Sequence, residues 1–270
     1  MTVAQAIAAS GIDPREARLL LAEVCGFSQA SLAASPEQEI PFEVENAFLE
    51  FASKRKSGEP VAYILGRKEF YGLDLSVNPS VLIPRPETEL LVDLALERIE
   101  ERVPGRVAAS VLDLGTGSGA VALAIKHERP KCRVVAVDSD LSALQTARRN
   151  AVRLNLDVDF RHGRWFEPVA GERFDGIVAN PPYVAEGDPH LPALHFEPRS
   201  ALISGPDGLD AIREIVTQVG EFLRPGGWLL LEHGLGQESA VRVLLTNGGL
   251  ESATTWPDLA GIPRVTGGKV

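Results

Sequence analysis

The chain has 270 residues, 44% of them hydrophobic, which is enough to bury a substantial core as one large domain or as a small domain joined to a medium one. Lys and Arg number 27 against 37 Asp and Glu, and the formal charge of -10, with no long Lys/Arg run, argues against a broad phosphate-binding footprint. No apolar run approaches the roughly 20 residues that span a bilayer, no basic and then apolar leader opens the chain, and Cys25 and Cys132 stand at no metal-ligand spacing, so a cytoplasmic protein without a metal is expected.

Residues 1–58 read as a domain of short helices. Asp13-Pro14-Arg15-Glu16 is a start signal, with an N-cap acid, proline at the first helical position and Glu16 placed to complete a capping box. Ala17, Leu20, Leu21 and Val24 then share one helical face, and Val44, Ala47, Phe48 and Phe51 repeat the pattern after Pro41. The basic run Lys54-Arg55-Lys56-Ser57-Gly58 marks a helix end, where cations suit the dipole. Residues 59–84 read as a linker, and the aromatic and β-branched mixture from Tyr63 to Val77 around Gly66 and Gly72 predicts a β-hairpin within it. Pro84-Arg85-Pro86-Glu87 opens a helix running to about Arg102.

Beyond Ser110, strands alternate with helices. Val111–Leu114, Val134–Val137, Val158–Phe160, Ile177–Ala179 and Trp228–Leu231 are candidate strands, with amphipathic segments between most of them. Residues 85–270 are therefore expected to form a doubly wound α/β sheet that binds its ligands beyond the carboxyl ends of the strands.

The first such strand, with Asp113 in it, runs into Gly115-Thr116-Gly117-Ser118-Gly119 and then a helix, so a ligand can approach bare backbone at the helix N-terminus. Gly115, Gly117 and Ala120 also satisfy a looser dinucleotide pattern, and Asp138 ends the next strand, where an acid accepts from ribose hydroxyls. A nicotinamide-dependent dehydrogenase is thus one reading. The G-x-G-x-G spacing and a carboxylate at Asp113, better suited to a cationic amine than to a pyrophosphate, favour S-adenosylmethionine. Asp138 has an alternative role as a helix-capping acid before Leu141, and Asp113 as an acceptor for loop amides. Trp165, after the third candidate strand, is placed to pack on an adenine or in the core.

Asn180-Pro181-Pro182-Tyr183 directly follows the apolar run Phe174–Ala179. An amide or exocyclic amine nitrogen is a poor nucleophile because its lone pair is delocalised, so a catalyst must hold its N–H groups with acceptors. The Asn180 side-chain carbonyl and the Pro181 main-chain carbonyl are two such acceptors, and the consecutive prolines stiffen the stretch while removing its N–H donors. Tyr183 offers a flat face for a planar amide or base. With the glycine turn, this tetrapeptide predicts methyl transfer onto a planar nitrogen.

With these residues in view, the chain resembles the HemK/PrmC family, the glutamine methyltransferases of peptide chain release factors, over nearly its whole length. The resemblance rests on Val81 to Glu89, the Asp113 to Gly119 turn, Asn180 to Tyr183, Asp188-Pro189-His190-Leu191, Phe196-Glu197-Pro198 with Ala201-Leu202, Leu231-Glu232-His233-Gly234 and Asp258 to Arg264. It implies a helical N-terminal domain, a hairpin linker and a seven-stranded methyltransferase domain. A separate helical domain on a hairpin linker is in turn read as the docking surface for the release factor, since one glutamine side chain offers too little area for selection. The implied substrate is the glutamine of the Gly-Gly-Gln motif in class I release factors. Carried over by position, Gly115 to Gly119, Asp138, Trp165 and Asn180 would contact S-adenosylmethionine, and Asn180, Pro181, Pro182 and Tyr183 would hold the glutamine amide. One departure stands out: Arg164 occupies the position before the aromatic where the family often has an acid for the adenine amine.

No strong general base is expected, since an N-alkylated amide cation is acidic enough for water to deprotonate, and His190, His195 and His233 are read as structural. The runner-up is a nucleic-acid amine methyltransferase, because Asn-Pro-Pro-Tyr alone is shared with such enzymes; the acidic charge and the lack of a basic, aromatic-interleaved segment argue against direct nucleic-acid binding. A non-catalytic module retaining the cofactor fold is a third reading, against which the intact tetrapeptide and glycine turn stand. A monomer is expected.

Overall fold

The structure, a computed structural model, describes residues 1–102 and 108–270. The chain divides into two units, Met1–Arg67 and Lys68–Val270, and each has its own core.

The first unit contains α1 (Val3–Ala9), α2 (Pro14–Cys25), α3 (Gln29–Ala34), α4 (Phe42–Lys56) and α5 (Val61–Leu65). Their apolar faces meet around Leu20, Leu21, Leu32 and Phe48, all almost fully buried. Truncating Phe48 to alanine would cost about 3–5 kcal/mol by the usual behaviour of large core aromatics. Asp13 caps α2 by accepting from the Arg15 amide at 2.8 Å, but the expected capping box does not close. Glu16 instead accepts from Arg55 at 2.8 and 3.1 Å, because a guanidinium fork outcompetes a single backbone amide for the carboxylate. A capping box does form at α1, between Thr2 and Gln5.

Residues 61–65 are helical, and Gly66, at φ +69, caps α5 rather than making the hairpin turn. The hairpin is β1 (Arg67–Phe70) and β2 (Leu73–Ser76), joined by Tyr71 and Gly72, which both adopt positive φ, as a two-residue hairpin turn requires. After a short 3-10 turn at Pro86–Thr88, α6 covers Glu89–Arg102.

There follow β3 (Ser110–Leu114), α7 (Ala120–Glu128), β4 (Arg133–Asp138), α8 (Leu141–Leu154), β5 (Asp159–His162), β6 (Phe174–Ala179), α9 (Asp210–Phe222), β7 (Leu223–Glu232), α10 (Glu238–Asn247), β8 (Glu251–Pro257) and β9 (Pro263–Lys269). The seven strands lie in the order β5-β4-β3-β6-β7-β9-β8. The first five are parallel, and β9 runs antiparallel between β7 and β8. Strand alternation splits the core across the sheet. Val111, Val134, Ala136, Val178 and Leu230 face one layer with α6 and α7, whereas Leu112, Leu114, Val135, Ile177 and Leu229 face the other with α9 and α10. At Gly176 a β-carbon would lie 2.1 Å from the Trp228 ring, so the glycine makes room for that indole across the β6–β7 pairing.

Among the described residues, no helix is long and apolar enough to cross a membrane, and no group of three or more His, Cys, Asp or Glu side chains could hold a metal ion.

Candidate active site

A cavity of about 400 Å³ opens at the carboxyl ends of the parallel strands. Asp113, Gly115, Thr116, Gly117, Ser118, Asp138, Trp165, Asn180 and Pro182 line it; Gly119, Pro181 and Tyr183 do not.

The glycine turn hangs on β4, with the Gly115 and Thr116 amides both donating to the Val137 carbonyl at 2.9 and 3.0 Å. Gly115, Gly117 and Gly119 have φ of +73, +56 and +85, the region where a β-carbon is strained. Gly119 has a second constraint. A β-carbon there would stand 3.2 Å from the Ala147 methyl and 3.0 Å from Leu123, so this glycine serves the packing of α7 against α8 rather than the cavity.

Asp113 is 2% exposed and accepts from the Thr116 hydroxyl at 2.6 Å. Burial pushes its carboxyl up to about 7, although the Thr116 hydroxyl and the Ala122 amide pull it back. A carboxyl poised there would be ionised by a bound cationic amine, whereas a pyrophosphate would meet repulsion. Asp138, at the end of β4, accepts from the Gly117 amide at 2.8 Å and the Asp140 amide at 2.9 Å. The cap of α8 is Asp140, which accepts from the Ser142 and Ala143 amides, so Asp138 is not the capping acid. Burial raises the Asp138 pKa against the pull of those two backbone amides. The positive-φ glycines and the two acids together fit a ligand with a cationic amine and vicinal hydroxyls.

Trp165 is half-buried at φ +45, and its ring edge lies 3.5 Å from where a Gly115 β-carbon would be. Its indole N–H donates to Glu214 on α9 at 2.7 Å, and Arg164 forms a bidentate pair with the same carboxylate, Nε to Oε2 and Nη2 to Oε1. Burial opposes the charge on Glu214, but Arg164 and the indole outweigh it and lower the pKa. The cavity is thus bordered by an ionised carboxylate beside Trp165, supplied by α9 and not by the position before the aromatic. Nothing in the sequence singled out Glu214, which sits on an amphipathic helix with no motif around it.

Asn180 follows β6 directly. Its Nδ2 donates to the Thr88 hydroxyl at 3.2 Å, and its Oδ1 is buried without a hydrogen-bond partner. Pro181 is buried, and Pro182 lines the cavity. The Tyr183 hydroxyl donates to Glu232 at the end of β7 at 3.4 Å, and its carbonyl accepts from Gln237 at 3.0 Å. Burial and the Glu232 charge raise the Tyr183 pKa, so the phenol stays protonated. Glu232 is 1% exposed, and burial pushes its carboxyl up to about 7.

Two segments on which the resemblance rests meet here. Arg85 pairs with the buried Glu197, which also accepts from the Ile83 amide at 3.1 Å, so the loop at 196–198 is tied to the segment before α6. None of His190, His195 and His233 lines the cavity. His190 is paired with Asp188, His195 bonds the Pro192 carbonyl, and His233 is fully buried on Thr266.

Comparison with known proteins adds to this geometry. A family model described as the PrmC N-terminal domain matches residues 2–66, and one described as the methyltransferase small domain matches residues 89–195. The chain is 47% identical over 267 residues to the release factor glutamine methyltransferase of Xylella fastidiosa strain Temecula1, covering 98% of this chain and 96% of the relative. It is 48% identical over 257 residues to the protein of the same name from Pseudomonas aeruginosa, covering 94% and 91%. Among solved structures, a T. thermophilus 16S rRNA N2 methyltransferase in complex with AdoMet and guanosine has a TM-score of 0.56 at 24% identity, over 75% of this chain and 49% of that one. A Pyrococcus furiosus methyltransferase has a TM-score of 0.55 at 19% identity, over 80% and 98%. These two likenesses establish the fold.

Proposed function

The chain belongs to the release factor glutamine methyltransferase family, and from that membership we propose that it methylates the side-chain amide nitrogen of the glutamine in the Gly-Gly-Gln motif of class I peptide chain release factors. S-adenosylmethionine supplies the electrophile, a methyl carbon on a sulfonium.

The chain's own residues bind and orient. Asp138 would accept from the ribose hydroxyls, Asp113 would pair with the cationic amine and Trp165 would offer its face to the adenine. Glu214 offers the acceptor for the adenine amine that the Arg164 position lacks. Asn180 Oδ1 would accept an N–H of the glutamine amide at the cavity wall and so fix the orientation of the amide nitrogen, whereas Pro181, off the cavity wall, would act by stiffening the loop that carries Asn180. Orientation and exclusion of water supply most of the acceleration, with no general base.

The observation that carries this reading is the buried, unpartnered Asn180 Oδ1 beside the cavity. A buried acceptor left unmade costs about 1–3 kcal/mol, so the site favours a ligand that brings an N–H to it. The helical unit Met1–Arg67 is proposed as the docking surface for the factor, because one glutamine side chain offers too little area to select among proteins.

The test is incubation with labelled S-adenosylmethionine and, in separate reactions, a release factor, the same factor with its Gly-Gly-Gln glutamine replaced, duplex DNA and structured RNA. Label should enter only the unaltered factor. Equal labelling of the altered factor, or preferential labelling of a nucleic acid, overturns the reading.

A further inference from the structure

We propose that Glu232 is a positioning residue: acting through the Thr88 hydroxyl, its carboxylate holds the Asn180 amide with Oδ1 turned to the substrate. The inference rests on the reading of Asn180 given above and adds a residue that does not itself touch the substrate.

The oxygen and nitrogen of a side-chain amide are nearly the same size, so only the partners decide which faces a ligand. The partner of Asn180 is Thr88, which lines the same cavity and is 4% exposed; its Oγ1 accepts from Nδ2 at 3.2 Å. A hydroxyl has one proton. If Thr88 accepts from Asn180, it must send that proton elsewhere, and the carboxyl beside it is Glu232. Glu232 Oε1 accepts from Tyr183 at 3.4 Å, and Oε2 is buried with no hydrogen-bond partner, so the group keeps spare accepting capacity.

An ionised carboxylate can only accept. It draws the Thr88 proton to itself and leaves a Thr88 lone pair for Asn180 Nδ2, which directs Oδ1 outward. A protonated Glu232 can donate to Thr88 instead and turn the Thr88 proton toward Asn180. That favours the flipped amide, with its NH2 facing the NH2 of the substrate, where two donors repel and nothing holds the nucleophile.

The groups that face Glu232 are Tyr183 on the Asn-Pro-Pro-Tyr loop, Thr88 and Glu87 on the turn before α6, and Arg264 on β9, with Arg85 close to Tyr183. Burial raises the Glu232 pKa and Glu87 adds to the rise, whereas Thr88, Tyr183 and Arg264 oppose it; the outcome is about 7. Ionisation, and with it turnover, should therefore increase as pH rises through neutrality.

The experiment measures kcat and KM for release-factor methylation by the full chain from pH 6 to pH 8.5, with cofactor affinity by calorimetry, for the parent, Glu232→Gln, Thr88→Val and Thr88→Ser. Glu232→Gln should lower kcat about 10-fold or more, the equivalent of one modest hydrogen bond, and remove the rising limb near pH 7 while cofactor affinity stays within about threefold. Thr88→Val should lose a similar amount, and Thr88→Ser should recover most of what Thr88→Val loses. If Glu232→Gln does not fold, the Thr88 pair carries the test. Turnover of Glu232→Gln or Thr88→Val at the parent rate overturns the inference, as does a parallel loss of cofactor affinity, which would mark a purely structural role. A parent that leaves the factor unlabelled overturns the substrate reading and this inference with it. A labelling parent with unaffected variants overturns this inference alone.

Discussion

Replacing Asn180 by alanine removes the side-chain carbonyl that stands buried and unpartnered at the cavity, together with the Nδ2 that donates to Thr88 at 3.2 Å. The two losses have different weights. The Thr88 contact is a neutral hydrogen bond worth about 1 kcal/mol net, and Thr88 keeps Glu232 as a neighbour, so the variant should fold. The lost carbonyl matters in the transition state. As the amide nitrogen gives up its lone pair its N–H groups become stronger donors, and deleting one preorganised transition-state partner typically costs about 10²- to 10³-fold in kcat, or about 2.7–4 kcal/mol. KM for the factor should change much less, because docking depends on other surfaces. Asn180→Asp keeps an acceptor of nearly the same shape but loses the donor to Thr88 and adds a charge, so it should retain part of the activity. Stopped-time methylation of release factor by folded, cofactor-binding variants measures both. An Asn180→Ala enzyme running within about threefold of the parent would refute the reasoning.

Asp138→Ala should weaken cofactor binding about 10- to 100-fold in a calorimetric titration, since hydrogen bonds to a charged acceptor are worth about 1.5–3 kcal/mol. Unchanged affinity would leave Asp138 only the task of holding the Gly117 and Asp140 amides. Glu214→Gln should weaken cofactor binding about 3- to 10-fold, the scale of one neutral-for-charged hydrogen-bond exchange, and an equal affinity would show that the acid beside Trp165 serves only Arg164 and the indole. Removal of residues 1–67, whose core is separate from that of the rest of the chain, should leave cofactor binding in place and abolish methylation of the whole factor. A soluble truncation that methylates at the full rate would dispose of the docking role.

Four of the five parallel strands were legible as short, largely apolar runs between breakers, which the structure lengthens at the ends; the fifth, β5, instead drops Val158 and runs on through Arg161 and His162, a polar edge strand whose register is set by its pairing with β4. The largest extension is β7, which begins at Leu223 rather than Trp228, because Pro225-Gly226-Gly227 reads as a turn yet continues the strand next to a register shift against β6. Strands β8 and β9 gave no run at all. Their Ser, Thr, Gly and Pro residues fit a strand only because tertiary packing requires it, and Gly267 is needed where a β-carbon would come within 2.5 Å of the Leu229 carbonyl. Helix α5 was hidden by β-branched and aromatic residues that favour strands in isolation but pack here on the helical core. In the site, residues contiguous in sequence were legible and their partners were not. Asn180 meets Thr88, and Arg85 meets Glu197, across separations of 92 and 112 residues that no local periodicity could join.

The arrangement of the acids and Asn180 across the sheet explains why these partners take separate tasks. Asp138, Asp113, Asn180 and Glu232 stand at or just beyond the carboxyl ends of β4, β3, β6 and β7, which are consecutive in the sheet. Neighbouring strands lie about 4.8 Å apart, so the row extends about 14 Å, the length of a bound nucleoside with an amino-acid tail meeting a second ligand. On the proposed reading, Asp138 and Asp113 line the end that takes the donor, and Glu232, beside Thr88, supports the end that takes the acceptor amide. Asn180 lies at the boundary between the two. Substitutions at β3 and β4 should therefore appear mainly in cofactor affinity, and those at Thr88 and Glu232 mainly in kcat and its pH dependence. Changes at Asn180 should show in both, so a kcat loss confined to Asp138 variants with full cofactor affinity would contradict this division of the row.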